Sequence, residues 1–194
     1  MTAANPLSRR RFLKVGGVAA AALAGGAWLL MRGGGDAHYR ALCPGAAPRV
    51  LSTKELGVLA AFCERVCPAP GPSQPGARVL RIAERIDHEL AFHTAQLQSD
   101  VKAALLLLEH GGWLHLSSTR FTRLSEAEQD ACLARMGVEG NELERQVFSN
   151  LKLLALFFYY CDERTWQAMH YEGPFAARKA PEADSRVDAE AAHG

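Results

Sequence analysis

Two capping boxes constrain most strongly what this chain can fold into. Residues 52–55 (Ser-Thr-Lys-Glu) and 125–128 (Ser-Glu-Ala-Glu) each place a hydroxyl and a carboxylate three positions apart, so that both can bind free amides where a helix starts. Leu51 and Leu56 flank the first box as a hydrophobic staple. No alternating strand pattern and no internal repeat occurs along the 194 residues. The sequence therefore predicts an all-α fold, a compact bundle of about five helices.

Apolar spacing, glycine and proline set the expected bounds of these helices. We predict helices over residues 52–67, 78–98, 100–110, 125–137 and 141–161. Four prolines between residues 68 and 75 exclude helix from the first connection. In the second helix, the residues expected to face inward are Val79, Ile82, Ala83, Ile86, Leu90 and Leu97. The stretch 151–161 is apolar on nearly every face, which favours the fifth helix as the central helix of the bundle.

A targeting segment precedes this domain. The pattern of a twin-arginine export signal is matched by Ser8, Arg9, Arg10, Phe12, Leu13 and Lys14. An apolar run, Val15–Met31, follows it. The twin-arginine translocase reads such a signal and carries folded cargo, so we expect the protein in the periplasm, at the inner membrane. A cytosolic helix that is basic at one end is the alternative.

The signal divides the chain into four expected parts. Residues 1–37 are the signal peptide, 38–50 a flexible tether and 51–175 the helical domain. Residues 176–194 are charged and poor in apolar groups, which predicts a disordered tail. Gly-Asp-Ala at 35–37 is a small-x-small cleavage site that gives a mature start at His38. The apolar run is also long enough to remain as an anchor, but we favour cleavage.

Charge and motif content exclude several classes of function. The first 37 residues hold five basic groups and one acidic group, a net charge of +4, while the whole chain is at +1. The remainder is therefore mildly acidic and lacks the excess of basic residues that is typical of nucleic-acid-binding proteins. No Gly-x-Ser-x-Gly elbow, phosphate loop or dinucleotide fingerprint occurs. We predict no catalytic and no cofactor-binding residue on this chain, which favours a binding function.

Five cysteines are present, and two of them are close in sequence. Cys63 and Cys67 lie one helical turn apart. Helical Cβ vectors at that spacing splay too far for an easy bridge unless the last turn unwinds. A disulfide between them is one interpretation, and two buried apolar thiols is the favoured one.

Two histidines raise the question of a metal site. His88 and His93 are five residues apart, so their imidazoles cannot share one ion as a four-residue spacing allows. Glu84 and His88 are four apart, as are Glu89 and His93, and each pair is half a site. No matching Glu-x-x-His occurs on another helix. Surface ion pairs are the favoured interpretation, and we predict no metal ligand.

Aromatic residues concentrate at the C-terminal end of the domain, where eight of the fifteen lie between residues 148 and 175. Amphipathic aromatics among polar residues are typical of protein interfaces. The alternative is a C-terminal segment folded back over its own core. The predicted partner-binding residues are Tyr159, Tyr160, Trp166, Tyr171 and Phe175.

Several short motifs occur in a fixed order along the domain. Leu-Ser-x-x-Glu (51–55) opens a helix, Cys-Pro-Ala-Pro (67–70) ends it, and a helix through Ile82 and Ile86 follows. Tyr-Tyr-x-Asp-x-x-x-Trp (159–166) and Tyr-x-Gly-Pro (171–174) close the series. In this order the motifs resemble the small subunit of gluconate 2-dehydrogenase, over residues 7–175. The loop after Cys67 departs from the family because it lacks the expected acidic residues, which loosens the substrate assignment.

The resemblance implies partners. Such subunits accompany a large FAD-dependent dehydrogenase of the glucose–methanol–choline type, often with a cytochrome c subunit, and the complex oxidises a sugar, sugar acid or polyol. The small subunit is non-catalytic, supplies the export signal and aids maturation. FAD and haem c are then expected on partner subunits and no cofactor on this chain. Two other hypotheses stay open: a small helical metal-binding or redox protein, and a scaffold protein anchored by residues 15–31.

Overall fold

The computed structural model describes residues 36–72, 74–111 and 119–173. The six α-helices of these ranges are α1 (Asp36–Leu42), α2 (Thr53–Val66), α3 (Ile82–Leu90), α4 (Ala95–His110), α5 (Glu126–Val138) and α6 (Glu142–Tyr160). Three short 3-10 helices cover Phe121–Arg123, Glu163–Thr165 and Gln167–Met169. Over these same ranges no β-strand occurs, only an isolated bridge between Gly71 and Gln74. The all-α prediction is confirmed.

Capping groups fix where the helices start. Both predicted capping boxes are present, with Ser52 opening α2 and Ser125 opening α5. A third box, from Asn141 to Glu144, opens α6. Each such cap contributes about 1 kcal/mol because it binds amides that the helix itself leaves free. The expected bounds of these three helices therefore agree with the structure to within one residue.

The predicted helix over 78–98 is wrong at both ends. Arg81 lies in the left-handed region (φ 53°), so α3 cannot begin before Ile82. At the other end, the Thr94 backbone is extended and its hydroxyl accepts a hydrogen bond from the Leu97 amide. This cap starts α4 at Ala95, five residues earlier than expected. The Gln98 side-chain Nε2 donates to the Leu90 and His93 carbonyls and so closes the end of α3. Two residues expected to face inward are consequently exposed, namely Val79 and Leu97.

The predicted tether is also wrong in its first part. Residues 36–42 form α1, which packs closely on α2. Tyr39 is 1% exposed, and a Cβ at Gly57 would lie 3.0 Å from the Tyr39 Cβ, so glycine lets the two helices approach. Cys43, just after α1, is buried as well. These are long-range contacts that local composition does not reveal.

A buried polar cluster ties α1 to the rest of the domain. The Tyr39 hydroxyl donates to the Glu109 carboxylate on α4 at 2.7 Å. Glu109, 1% exposed, also accepts from the Thr122 amide at 3.1 Å and from its hydroxyl at 2.8 Å. Arg120 donates to the Tyr39 hydroxyl at 3.3 Å. We refer to Tyr39, Glu109, Arg120 and Thr122 as the Glu109 cluster.

The central helix of the bundle is α2 and not α6, which corrects the prediction. α2 packs against α1, α3, α4, α5 and α6, and Leu59 and Phe62 are fully buried. Small residues on α2 allow neighbours to surround it, whereas α6 buries Leu151, Ala155 and Tyr159 on one face only. Within the described ranges no helix combines the length and the apolar character needed to cross a bilayer. Residues 1–35 of the predicted signal peptide (1–37) and the predicted tail (176–194) lie outside those ranges.

Candidate functional site

Helix α6 presents an apolar face to the outside. Leu153, Phe157 and Tyr160 are 71%, 59% and 40% exposed. They recur at intervals of four and three residues, so they line one side of the helix. We call these three residues the α6 face. Large apolar side chains clustered on an exposed surface are typical of a protein-binding site.

Tyr159 points the other way, which corrects its assignment to the partner-binding set. It is fully buried, and its hydroxyl donates to the Pro75 carbonyl at 3.0 Å. Burial raises the pKa of this tyrosine. One step along the helix turns the side chain by about 100°, which takes Tyr159 into the core and leaves Tyr160 on the α6 face.

The segment after α6 folds back against the end of that helix. The Trp166 indole donates to the Tyr160 carbonyl at 2.9 Å, and its ring meets the Tyr171 ring edge-on at 5.1 Å. Gly173 has a φ of +96°, and a Cβ there would lie 3.1 Å from the Trp166 ring. Glycine thus lets the chain pass closely over the indole. Trp166 is half-buried as the fold-back alternative expects, whereas Tyr171 stays exposed.

Ion pairs fix the orientation of this segment. Asp162 follows α6 and bonds Arg164 at 2.8 Å and Arg85 of α3 at 2.9 Å. The Arg164 guanidinium holds the pKa of the Asp162 carboxyl below its usual value. Thr165 is buried and donates to the Asp162 carbonyl at 2.8 Å. Tyr160, Trp166 and Tyr171 are therefore brought together at one end of the α6 face. Phe175, the remaining predicted residue, lies outside the described ranges.

The two neighbouring cysteines are free in the structure, so the candidate disulfide is absent. The Cys67 amide donates to the Cys63 carbonyl at 3.0 Å, which shows that the helix does not unwind between them. Both thiols are buried. Burial raises the pKa of Cys67 to about 12 and raises that of Cys63 well above its ordinary value. These thiols behave as small apolar core residues, as the favoured interpretation expects.

Of the two histidine and glutamate pairs, His88, Glu89 and His93 are exposed and Glu84 is half-buried. Glu84 bonds Arg81 at 3.2 Å, and His93 lies 3.7 Å from Glu89. His88 stacks obliquely on the Phe92 ring. Across residues 36–72, 74–111 and 119–173, no three His, Cys, Asp or Glu side chains are grouped so that they could hold a metal ion.

Comparison with protein families identifies the chain. The family model described as gluconate 2-dehydrogenase subunit 3 matches residues 53–173. The chain belongs to the gluconate 2-dehydrogenase subunit 3 family. A model of the twin-arginine pathway signal sequence matches residues 6–26. Comparison with curated proteins and with solved structures finds no match.

Membership in the gluconate 2-dehydrogenase subunit 3 family and the export signal define the class of this protein. It is an accessory subunit of a dehydrogenase, and its signal directs export across the membrane to the periplasm. The family match contains α2 to α6, the α6 face and the fold-back segment, whereas α1 lies before it. Sequence reasoning missed Leu153 and Phe157 as surface residues, although their spacing with Tyr160 was a usable signal.

Proposed function

We propose that this chain is the non-catalytic small subunit of a periplasmic FAD-dependent dehydrogenase that oxidises a sugar, a sugar acid or a polyol. Its partner is a large flavoprotein of the glucose–methanol–choline type. The chain supplies the twin-arginine signal for the pair and assists maturation of the flavoprotein before export. Family membership carries this proposal, and the signal at residues 6–26 supports the escort role.

The α6 face is the surface that binds the flavoprotein. Leu153 and Phe157 are large apolar side chains that are mostly exposed to solvent. Tyr160 adds an aromatic ring whose hydroxyl can form a hydrogen bond with a partner. Trp166 and Tyr171 extend this surface beyond the end of α6. Apolar and aromatic anchors surrounded by polar residues supply most of the binding energy in a typical interface.

Cofactors belong to the partners in this proposal. FAD lies on the large subunit, and haem c lies on a cytochrome c subunit where the complex includes one. This chain contributes binding surface and export signal, and it holds no reacting group.

Co-purification tests the partner. The full chain, tagged at its C-terminus, is purified gently from membrane and periplasmic fractions of the native host and examined by mass spectrometry and flavin absorbance. We expect a much larger flavoprotein at about one copy per chain. A chain that is recovered alone and without flavin contradicts the stable complex.

Export of the flavoprotein tests the escort role. Replacing Arg9 and Arg10 together by lysine should leave the flavoprotein in the cytoplasm, because the translocase reads the arginine pair. Arg11→Lys changes a neighbouring arginine outside the pair and is the matched control. If the flavoprotein reaches the periplasm in the double variant as it does in the control, the escort role is wrong.

A further inference from the structure

Helix α1 belongs to the folded domain although it precedes the family match and includes the last two residues of the predicted signal peptide (1–37). The match begins at residue 53, whereas α1 covers Asp36–Leu42. Tyr39 is 1% exposed and Cys43 is 9% exposed, so both are part of the core. Residues that were expected to link a removable signal to the domain are therefore an integral part of its packing.

The contacts of α1 would be lost if its first turn were extended. The His38 ring meets the Tyr39 ring edge-on, with 5.2 Å between centroids. The Tyr39 hydroxyl donates to Glu109, a fully buried carboxylate. Tyr39 also fills the space that Gly57 leaves on α2. Pulling residues 36–39 out of the helix removes a tyrosine from the core and leaves Glu109 without one of its donors.

The expected cleavage site lies inside this helix. Cleavage at Gly-Asp-Ala (35–37) breaks the bond between Ala37 and His38, which is two residues into α1 and one residue before Tyr39. A peptidase needs its substrate locally unfolded, so a bond within a packed helix is cut only when that helix opens. Cargo of the twin-arginine route is folded before it crosses, so α1 is in place when a signal peptidase meets the chain.

We propose that the bond between Ala37 and His38 stays intact and that the exported protein keeps its N-terminal segment as a membrane anchor. The apolar run Val15–Met31 has 17 residues, which meets the lower limit for crossing a bilayer. The arginines and the lysine before it stay on the cytoplasmic side, as positive charges flanking a span do. Five steps of the chain, at most about 18 Å, separate Met31 from Asp36. The domain is therefore held with α1 close to the outer surface of the membrane.

The intact mass and N-terminal sequence of the chain test this proposal, and neither depends on the flavoprotein. Both are measured on the full chain purified from the native host. A first variant carries Gly-Ser-Gly-Ser inserted between Ala37 and His38, which moves the site out of α1 and leaves Tyr39 in place. A second carries the same four residues after Ala47, an exposed position between α1 and α2, and is the matched control.

We expect the native chain and the Ala47 variant to retain the N-terminal segment, and the Ala37 variant to lose residues 1–37. A native chain that starts at His38, or at any residue between 16 and 37, overturns the anchor. An Ala37 variant that stays uncut contradicts protection of the site by α1, because the insertion has moved the site out of that helix and the peptidase still does not cut it. Loss of the flavoprotein from a pull-down affects the proposed function only and leaves this test unchanged.

Discussion

The Asp87 carboxylate accepts a hydrogen bond from the Leu51 amide at 2.7 Å, across 36 residues. The same carboxylate accepts from the amides of Val50 at 3.0 Å and Arg49 at 2.6 Å. Asp87 is 2% exposed and lies on α3, whereas the three amides directly precede the Ser52 cap of α2. One side chain thus fixes the entry to the central helix.

Asp87→Asn should lower the free energy of unfolding by about 2–3 kcal/mol. The side-chain NH2 group of asparagine is a donor, and it would face a backbone amide donor where a carboxylate oxygen now accepts. Urea denaturation of the purified chain measures it. Asp130→Asn is the matched control, since that carboxylate is 58% exposed and a surface change of this kind stays within about 0.5 kcal/mol. Equal effects of the two substitutions would contradict the role of Asp87.

Glu109→Gln should also destabilise the domain by about 2–3 kcal/mol, since the new amide would meet the Thr122 amide, donor against donor. Tyr39→Phe should cost less, about 1–2 kcal/mol, because Glu109 keeps both bonds to Thr122. Tyr171→Phe, at an exposed tyrosine, is the control. If Tyr39→Phe unfolds at the same urea concentration as the control, α1 is not held by the Glu109 cluster.

Reaction with iodoacetamide at pH 8 should separate the cysteines by exposure. Cys161 is exposed and should be alkylated first. Burial raises the pKa of Cys43 and of Cys67 to about 12, which leaves about one thiolate in ten thousand at that pH. Peptide mapping after brief labelling should find both unmodified, and labelling in denaturant should reach all five. Native alkylation of Cys43 as fast as that of Cys161 would show that its burial is wrong.

Stability should fall as the solution becomes acidic, with His110 as one cause. Burial lowers the pKa of His110, and the Lys54 ammonium 3.1 Å away lowers it further. Below pH 6.5 the unfolded chain therefore binds a proton that the folded chain resists, which destabilises the fold by at most about 1.4 kcal/mol per pH unit. His110→Gln should lose less stability than the native chain between pH 8 and pH 5. Identical losses in both would contradict this origin.

Phe157→Asp should weaken co-purification of the flavoprotein at least about tenfold, as loss of a central apolar anchor does. Both native and variant chains should unfold at the same temperature, because Phe157 is 59% exposed. Phe92→Asp is the matched control, an aromatic residue 71% exposed that lies outside the α6 face. A variant at 157 that retains the flavoprotein as well as the control does would remove the α6 face from the interface.

Local signals predicted the starts of α2, α5 and α6, because each cap is a contact between residues three apart. The break between α3 and α4 was not predictable in this way. No glycine or proline occurs between Leu90 and Thr94, and the Gln98 side chain that closes α3 acts across a turn. Helix α1 was missed because its stability comes from Tyr39 and Glu109, which are 70 residues apart.

The sequence predicted that the candidate site is rich in aromatic residues, but it named only some of the side chains that are exposed there. The aromatic-rich segment pointed to the end of α6 where Tyr160, Trp166 and Tyr171 lie together. It could not tell Tyr159 from Tyr160, because a stretch that is apolar on nearly every face does not show which face meets the core. That distinction depends on the Pro75 carbonyl, which receives the Tyr159 hydroxyl and lies 84 residues away.

The bond between Tyr39 and Glu109 also sets an order of events during synthesis. Tyr39 leaves the ribosome first, but its acceptor is made 70 residues later. At about 5–20 residues per second, this delay is roughly 4–14 s. During that interval α1 can pack on α2, but the Tyr39 hydroxyl has no acceptor on α4. The hydrogen bond from Tyr39 to Glu109 thus forms only in a chain whose first four helices have all been made.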